Sequence, residues 1–152
     1  MFKEDLKHGE QGEYIVWNIL SKDPQIVNVL DVRGDKRFQG YDVDFLAQTT
    51  TKQFYFIEVK TDFKAQETNN IVYEVTSNSN EGCFARTKAD YVYYYIPEDD
   101  KVLVISVRKI RDYIDTYMMK YVDMGDGAKG YLVNIDDLKQ FGGIKKVYEG
   151  VK

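Results

Sequence analysis

The sequence predicts a mixed α/β fold in which a central sheet is flanked by helices. Three observations support this fold class. Apolar residues recur at helical spacing over residues 2–21. Two apolar, aromatic and β-branched segments then enclose a polar turn at 49–52, and another such pair encloses the turn at 97–100. The 152 residues are enough for one domain with its own core, so a single domain over residues 1–152 is expected.

The individual elements follow from the same patterns. Strands are predicted at residues 26–32, 40–47, 54–62, 71–76, 90–96, 101–107, 131–135 and 144–148. Short or regular helices are predicted at 82–89, 108–120 and 136–141. Residues 61–70 show no strong helical stripe, residues 77–81 suggest a turn, and residues 123–129 suggest a flexible loop.

Composition excludes several classes of protein. The chain is 43% hydrophobic and 30% charged, as a globular protein is. No apolar run approaches membrane-spanning length and no signal-peptide pattern opens the chain, so no membrane role is expected. The single cysteine, Cys83, cannot form an internal disulfide, which suits a reducing cytoplasmic setting. The net charge of −4 argues mildly against indiscriminate nucleic-acid binding, yet a nuclease remains compatible because metal ligands are acidic.

The opening helix carries acids within or beside its apolar stripe. The stripe contains Leu6, Val16, Trp17 and Leu20. Glu13 lies near its middle and Glu10 toward its edge, so either can be a functional acid or a solvated one. Gly9 and Gly12 leave one side of the helix bare, which indicates close approach of a strand or a phosphate.

The two strands that follow concentrate charge. Because side chains alternate along a strand, Asp42 and Asp44 would share one face of the first, and Glu58 and Lys60 one face of the second. Two carboxylates about 4 Å apart repel by about 4 kcal/mol at an effective dielectric constant of about 20. A hard cation such as Mg²⁺, with Mn²⁺ as a substitute, removes that conflict because it prefers oxygen ligands. With Lys60 beside a metal-bound water or a phosphate, the grouping indicates phosphodiester hydrolysis.

A basic loop precedes the aspartate strand. Arg33, Lys36 and Arg37 form the best local cluster for phosphate contact, although charged loops are often only solvated. The 13 tyrosines could stack on bases, but most lie in strand patterns where packing is their ordinary use.

The order of helix glutamate, aspartate strand and Glu-X-Lys strand resembles the PD-(D/E)XK nuclease superfamily, which includes restriction endonucleases and Holliday junction resolvases. The residues that carry the resemblance are Gly12-Glu13, Gly40 to Phe45, and Ile57 to Thr61. The resemblance covers residues 9–62, with a weaker similarity downstream to small phage- or prophage-type members. It implies a restriction endonuclease-like αβββαβ core.

The resemblance also implies roles by position. Asp44 and Glu58 would ligate the metal, with the main-chain carbonyl of Val59 as a further ligand. Lys60 would orient or help to deprotonate the attacking water, and Glu13 would support a second metal or a metal-bound water. The implied activity is a Mg²⁺-dependent endonuclease that cuts DNA, with a role in recombination, repair or restriction. A homodimer is a further expectation from the family, because many members cut two strands.

Some alternatives stay open. Asp42 competes with Asp44 for the metal, although Val43 and Phe45 flank Asp44 as in a core strand. No proline precedes the aspartate, and the helix that usually follows the lysine strand is not visible in residues 61–70. The chain could instead be a catalytically inactive, nuclease-fold DNA-binding subunit of a larger complex, or an acidic α/β protein whose charged strands face water.

Overall fold

The structure, a computed structural model, describes residues 2–77, 80–125 and 127–152. The helices are α1 (Phe2–Lys22), α2 (Ala65–Thr68), α3 (Cys83–Arg86), α4 (Val107–Thr116) and α5 (Ile135–Phe141). The strands are β1 (Ile26–Asp31), β2 (Phe45–Thr49), β3 (Phe54–Thr61), β4 (Asn70–Ser77), β5 (Asn80–Glu81), β6 (Tyr91–Ile96), β7 (Lys101–Ser106), β8 (Val122–Gly125), β9 (Ala128–Asn134) and β10 (Ile144–Glu149). None of the helices in this part of the chain combines the length and apolar character that crossing a bilayer requires.

The main sheet has six strands in the order β1-β2-β3-β6-β7-β10. Its neighbours are antiparallel except for β3 and β6, which run parallel, with Glu58 opposite Val92. The predicted mixed sheet flanked by helices is therefore confirmed. Parallel neighbours require a crossover connection. Here the crossover contains α2, β4, β5 and α3 in place of one regular helix.

Helix α1 covers one face of this sheet. Ile15, Val16 and Leu20 are buried against Phe45 of β2 and Ile57 of β3. Each such aliphatic side chain contributes about 1.5–3 kcal/mol when it is fully buried. The apolar stripe predicted for residues 2–21 therefore forms a helix that positions its own acids at the edge of the sheet. The side chain of Leu6, which belongs to that stripe, lies outside the described residues.

The opposite face packs against a second sheet, in the order β5-β4-β9-β8, together with α4 and α5. Its core joins Ile71 and Val133 of the second sheet to Val92 and Ile105 of the main sheet. Residues 123–129, predicted as a flexible loop, instead lie largely in β8 and β9, which pair as far as Gly125 opposite Ala128. The turn predicted at residues 77–81 falls partly on residues 78–79, outside the described part; β5 follows them.

Two other expectations need correction. The strand predicted from Gly40 begins only at Phe45, because residues 39–41 form one turn of 3-10 helix and Asp42 has a left-handed φ of 48°. Asp42 and Asp44 therefore do not share a face of one strand. The connection at 61–70 contains the short helix α2, which begins where Asp62 accepts hydrogen bonds from the N–H groups of two following residues.

Candidate active site

Asp44 lies at the beginning of β2, against β3. Its N–H donates to the carbonyl of Ile57 at 2.8 Å, and its Oδ2 accepts a hydrogen bond of 2.7 Å from the N–H of Val59. These two bonds lie on either side of Glu58 along β3. The last β2–β3 pair is Phe45 with Ile57, so the main chain of β2 separates from β3 at this point. The two acids predicted as metal ligands are therefore neighbours where β2 and β3 separate.

The electrostatic surroundings of Asp44 bring in three other predicted residues. Burial raises the pKa of Asp44 to about 6, and the hydrogen bond from the Val59 N–H opposes that rise. The negative charge of Glu13 raises this pKa further, whereas the positive charges of Lys60 and Arg33 lower it. Residues of α1, β3 and the basic loop therefore lie within electrostatic reach of one carboxyl group.

Glu58 is buried in β3, with only 6% of its surface exposed. A buried carboxylate is costly unless hydrogen bonds, a cation or a proton compensates its charge. Beside it, the N–H and C=O of Val59 point to the same edge of the strand, since both groups of one strand residue do so. The Val59 carbonyl therefore lies on the side of Asp44, beyond the last β2–β3 pair.

These groups can be tested as ligands for a cation. Asp44, Glu58 and the Val59 carbonyl supply oxygen atoms only, which is the donor type that Mg²⁺ prefers. Across the described ranges, no three side chains of histidine, cysteine, aspartate or glutamate are grouped closely enough to hold an ion by themselves. Two carboxylates and one carbonyl still fit Mg²⁺, because this ion commonly binds one or two carboxylates and keeps several waters. A cation would also favour the ionised form of Asp44, which burial disfavours.

Glu13 is held at the edge of the site by an arginine. Its Oε2 accepts a 2.7 Å hydrogen bond from Nη1 of Arg33, whose guanidinium also binds Asp31 and lies 5.4 Å from the centre of the Phe45 ring. Glu10 is exposed and lines an open cleft of about 660 Å³ on the same side. Of the two candidate glutamates, Glu13 is the one whose charge acts on Asp44.

Lys60 faces a second cleft, of about 340 Å³, between the end of β3 and the second sheet. Its lining includes Asp62, Phe63, Lys64, Glu74 and Tyr94. Lys60 therefore lines a space open to a substrate and lies within electrostatic reach of Asp44.

Asp42, the competing aspartate, has a different environment. Its carboxylate accepts two hydrogen bonds from Arg86, of 2.6 Å from Nε and 3.1 Å from Nη2. Its main-chain carbonyl accepts a bond of 2.9 Å from the hydroxyl of Thr87. The geometry thus favours Asp44 over Asp42 for the metal. Sequence patterns did not single out Arg86 or Thr87, because both partners lie more than 40 residues away along the chain.

The predicted phosphate cluster is partly engaged within the protein. Arg33 binds Asp31 and Glu13, and Arg37 binds Asp35 at 2.7 Å. The third member, Lys36, is exposed. Contact between these three cations and DNA stays a prediction.

Comparison with solved structures finds similarity to a bacterial homing endonuclease, I-Ssp6803I, with a TM-score of 0.51 and 17% sequence identity. The match covers 91% of this chain and 86% of that chain. At this identity the likeness shows the fold alone. No protein-family model and no curated protein sequence matches the chain.

Proposed function

We propose that this chain is a metal-dependent endonuclease that hydrolyses phosphodiester bonds of DNA, with a site of the PD-(D/E)XK type. The observation that carries the proposal is the placement of Asp44, which is bonded to β3 on both sides of Glu58. Glu13 and Lys60 lie within electrostatic reach of the same carboxyl group. The fold that the chain shares with a bacterial homing endonuclease supports this proposal.

Asp44, Glu58 and the Val59 carbonyl would hold the metal ion. When bound there, Mg²⁺ would supply Lewis-acid polarisation of the phosphate and a lowered pKa for water. The other contributions come from the chain itself. Glu58 is buried, and the hydrogen bond from the Val59 N–H fixes the orientation of the Asp44 carboxylate.

Lys60 and Glu13 would act on the reacting groups. In the reaction, a water oxygen attacks phosphorus in line with the leaving oxygen, and the bond from phosphorus to that oxygen breaks. The Lys60 ammonium lies within electrostatic reach of Asp44, so it can donate hydrogen bonds to a phosphate oxygen as negative charge develops there. Glu13 can accept a hydrogen bond from the attacking water and thereby orient it.

The DNA would approach the basic loop and the cleft at Lys60. Lys36 and Arg37 are exposed cations of the loop, and 82% of the Arg37 side chain is exposed, which suits contact with phosphates. Two copies of the site could cut the two strands of a duplex in one encounter, so a homodimer belongs to the proposal.

The experiment is cleavage of supercoiled plasmid DNA with Mg²⁺, with Mn²⁺ and with EDTA. We expect metal-dependent nicking by the wild type and a loss of at least about a hundredfold in rate for Asp44→Asn and for Glu58→Gln. Glu149→Gln, a change of an exposed acid in β10, serves as the matched control. Equal cleavage by the wild type and both site variants would exclude this site, and a parallel assay with RNA tests the choice of DNA.

The likeness to the homing endonuclease shows the fold alone, and this fold also suits a second candidate function, that of a catalytically inactive nuclease-fold subunit that binds DNA. That function predicts no cleavage of any nucleic acid, with DNA binding that does not depend on a divalent ion. Calorimetric titration with Mg²⁺ in the absence of DNA separates the two functions directly.

A further inference from the structure

Two Asp-X-Arg pairs follow one another after β1, with the same local geometry. The Asp31 carboxylate accepts three hydrogen bonds from Arg33: from the main-chain N–H of Arg33 at 3.1 Å, from its Nε at 2.9 Å and from its Nη2 at 2.6 Å. Asp35 accepts bonds from Arg37 through the same three groups, at 2.9 Å, 3.0 Å and 2.7 Å. Each aspartate therefore fixes the plane of the guanidinium two residues later.

The two arginines differ in what else they contact. Nη1 of Arg33 donates to Glu13 of α1 at 2.7 Å, and its guanidinium lies over the ring of Phe45, the residue after Asp44. Arg37 lies over the ring of Phe38, and 82% of its side chain is exposed. Of the two Asp-X-Arg pairs, only the pair of Asp31 with Arg33 contacts a residue of the candidate active site.

The charges around Arg33 make it a poor ligand for a phosphate. The open cleft beside it is lined by Glu10, Glu13, Asp31 and Asp35, while Arg33 is its only lining cation. Three of the N–H groups of its side chain already point at carboxylate oxygens. A DNA phosphate that approached here would meet a net negative group of side chains and would have to displace a carboxylate.

We propose that Arg33 is a positioning residue that holds Glu13 beside Asp44, and that it is not a phosphate contact of the DNA. The inference rests on the proposed function. The bidentate pair with Asp31 fixes Arg33, so that Nη1 presents one donor to α1. A glutamate side chain loses considerable conformational freedom when it is fixed. The Arg33 bond selects the Glu13 conformation that faces the site over those that face solvent.

The test separates DNA affinity from the rate of the bound complex. The variants are Arg33→Gln, Arg37→Gln, Glu13→Gln, and the double variants that combine Glu13→Gln with each arginine change. Affinity for a labelled DNA duplex is measured by fluorescence anisotropy in EDTA at several salt concentrations. The cleavage rate is measured with Mg²⁺ at saturating DNA. Circular dichroism melting checks that every variant is folded.

We expect Arg33→Gln to lower the rate at saturating DNA by about ten- to a hundredfold, the usual range for groups that orient a site. Its DNA affinity and the salt dependence of that affinity should stay within about twofold of the wild type, since no phosphate contact is lost. The double variant of Glu13 and Arg33 should be no slower than the slower single variant. The double variant of Glu13 and Arg37 should show the product of the two separate effects. Arg33→Lys, which keeps one donor, should recover part of the rate.

Three results bear on the inference in different ways. If the double variant lost as much rate as the product of the losses of Glu13→Gln and Arg33→Gln, the inference would be overturned, because the two residues would then act separately. A weaker affinity for Arg33→Gln, with a salt slope reduced by about one and an unchanged rate at saturation, would make Arg33 a phosphate contact and would also overturn it. A wild-type protein that cuts no DNA would instead remove the proposed function, and the inference with it.

Discussion

Gly12 of helix α1 lies against Thr61 of β3, so closely that a Cβ atom at residue 12 would overlap the hydroxyl oxygen of Thr61. Glu13 follows the glycine, and Lys60 precedes the threonine. The contact therefore sets how near the acid of the helix comes to the lysine of the strand. Within the described residues, the buried Thr61 hydroxyl has no hydrogen-bond partner.

Gly12→Ala should destabilise the fold. Overpacking a close contact costs about 1–3 kcal/mol, which exceeds the gain of about 1 kcal/mol that alanine brings to a helix. We also expect slower DNA cleavage, because α1 and Glu13 would move away from β3. Urea unfolding at equilibrium measures the first effect and plasmid nicking the second.

Gly9→Ala is the matched control in the same helix. A Cβ at residue 9 meets no atom within 4 Å, so alanine should stabilise the protein by up to about 1 kcal/mol. If the changes at residues 9 and 12 shifted stability in the same direction, the close contact would not be what requires glycine at residue 12.

The stability of the protein should depend on the ionisation of Asp44. Burial raises its pKa to about 6, above the value of 3.8 for a free side chain. The folded state therefore holds this proton more tightly than the unfolded state does. The resulting contribution to the free energy of unfolding is complete below pH 3.8 and is lost as the pH rises to about 6. It amounts to at most about 3 kcal/mol.

The comparison of wild type with Asp44→Asn isolates this group from the other carboxyls. In EDTA above pH 6, the asparagine variant should be the more stable protein, and the difference should shrink toward pH 4. Excess Mg²⁺ should stabilise the wild type and leave the variant unchanged, because a ligand that binds the folded state raises its stability. A difference that is independent of pH would contradict the assignment of the raised pKa.

Substitutions of Asp42 and of Asp44 should have different effects on stability and on Mg²⁺ binding. Asp42→Asn weakens the pair with Arg86, whose side chain is 45% exposed, so a loss of about 1 kcal/mol is expected. Its affinity for Mg²⁺ and its DNA cleavage should stay close to those of the wild type. Arg86→Gln should cost a similar amount, and the double variant little more than either change alone. Loss of Mg²⁺ binding by Asp42→Asn, measured by calorimetry, would return Asp42 to the site.

The Thr87 hydroxyl should stabilise the segment that precedes Asp44. The residue is 1% exposed; its hydroxyl donates to the carbonyl of Asp42 and accepts from the N–H of Ala89 at 3.1 Å. Thr87→Val leaves both groups without this partner, at a cost of about 1–3 kcal/mol. Thr87→Ser keeps the hydroxyl and should cost about 1 kcal/mol, for the lost methyl group. Chemical unfolding of the two variants measures their free energies of unfolding. Equal losses of stability would contradict a role for the hydroxyl.

Much of the candidate site is visible in the sequence because it is local. The alternation of Glu58 and Lys60 within an apolar segment predicts β3, and the structure has that strand. The position of Glu13 follows from the helical stripe. Of the two glycines expected to be closely approached, Gly12 is approached by a strand, whereas Gly9 has no neighbouring atom within 4 Å and that expectation is wrong. These features depend on neighbours a few residues away, which periodicity reports.

The parts that sequence patterns miss depend on distant partners. The strand expected from Gly40 begins later because Arg86 and Thr87 bind Asp42. These two residues lie 44 and 45 positions away from Asp42 along the chain. The second sheet is missed because β4 pairs with β9, which lies far along the chain. Gly130 permits that pairing, since a Cβ there would overlap the carbonyl oxygen of Tyr73. A single glycine in a sequence does not disclose such a neighbour.

The second sheet is formed by two connections of the chain. The connection between β3 and β6 contains β4 and β5, and the connection between α4 and α5 contains β8 and β9. Removal of either connection would expose the apolar faces that Ile71 and Val133 bury together. The two connections therefore form one folding unit, and a deletion in one of them would leave the apolar face of the other without its partner.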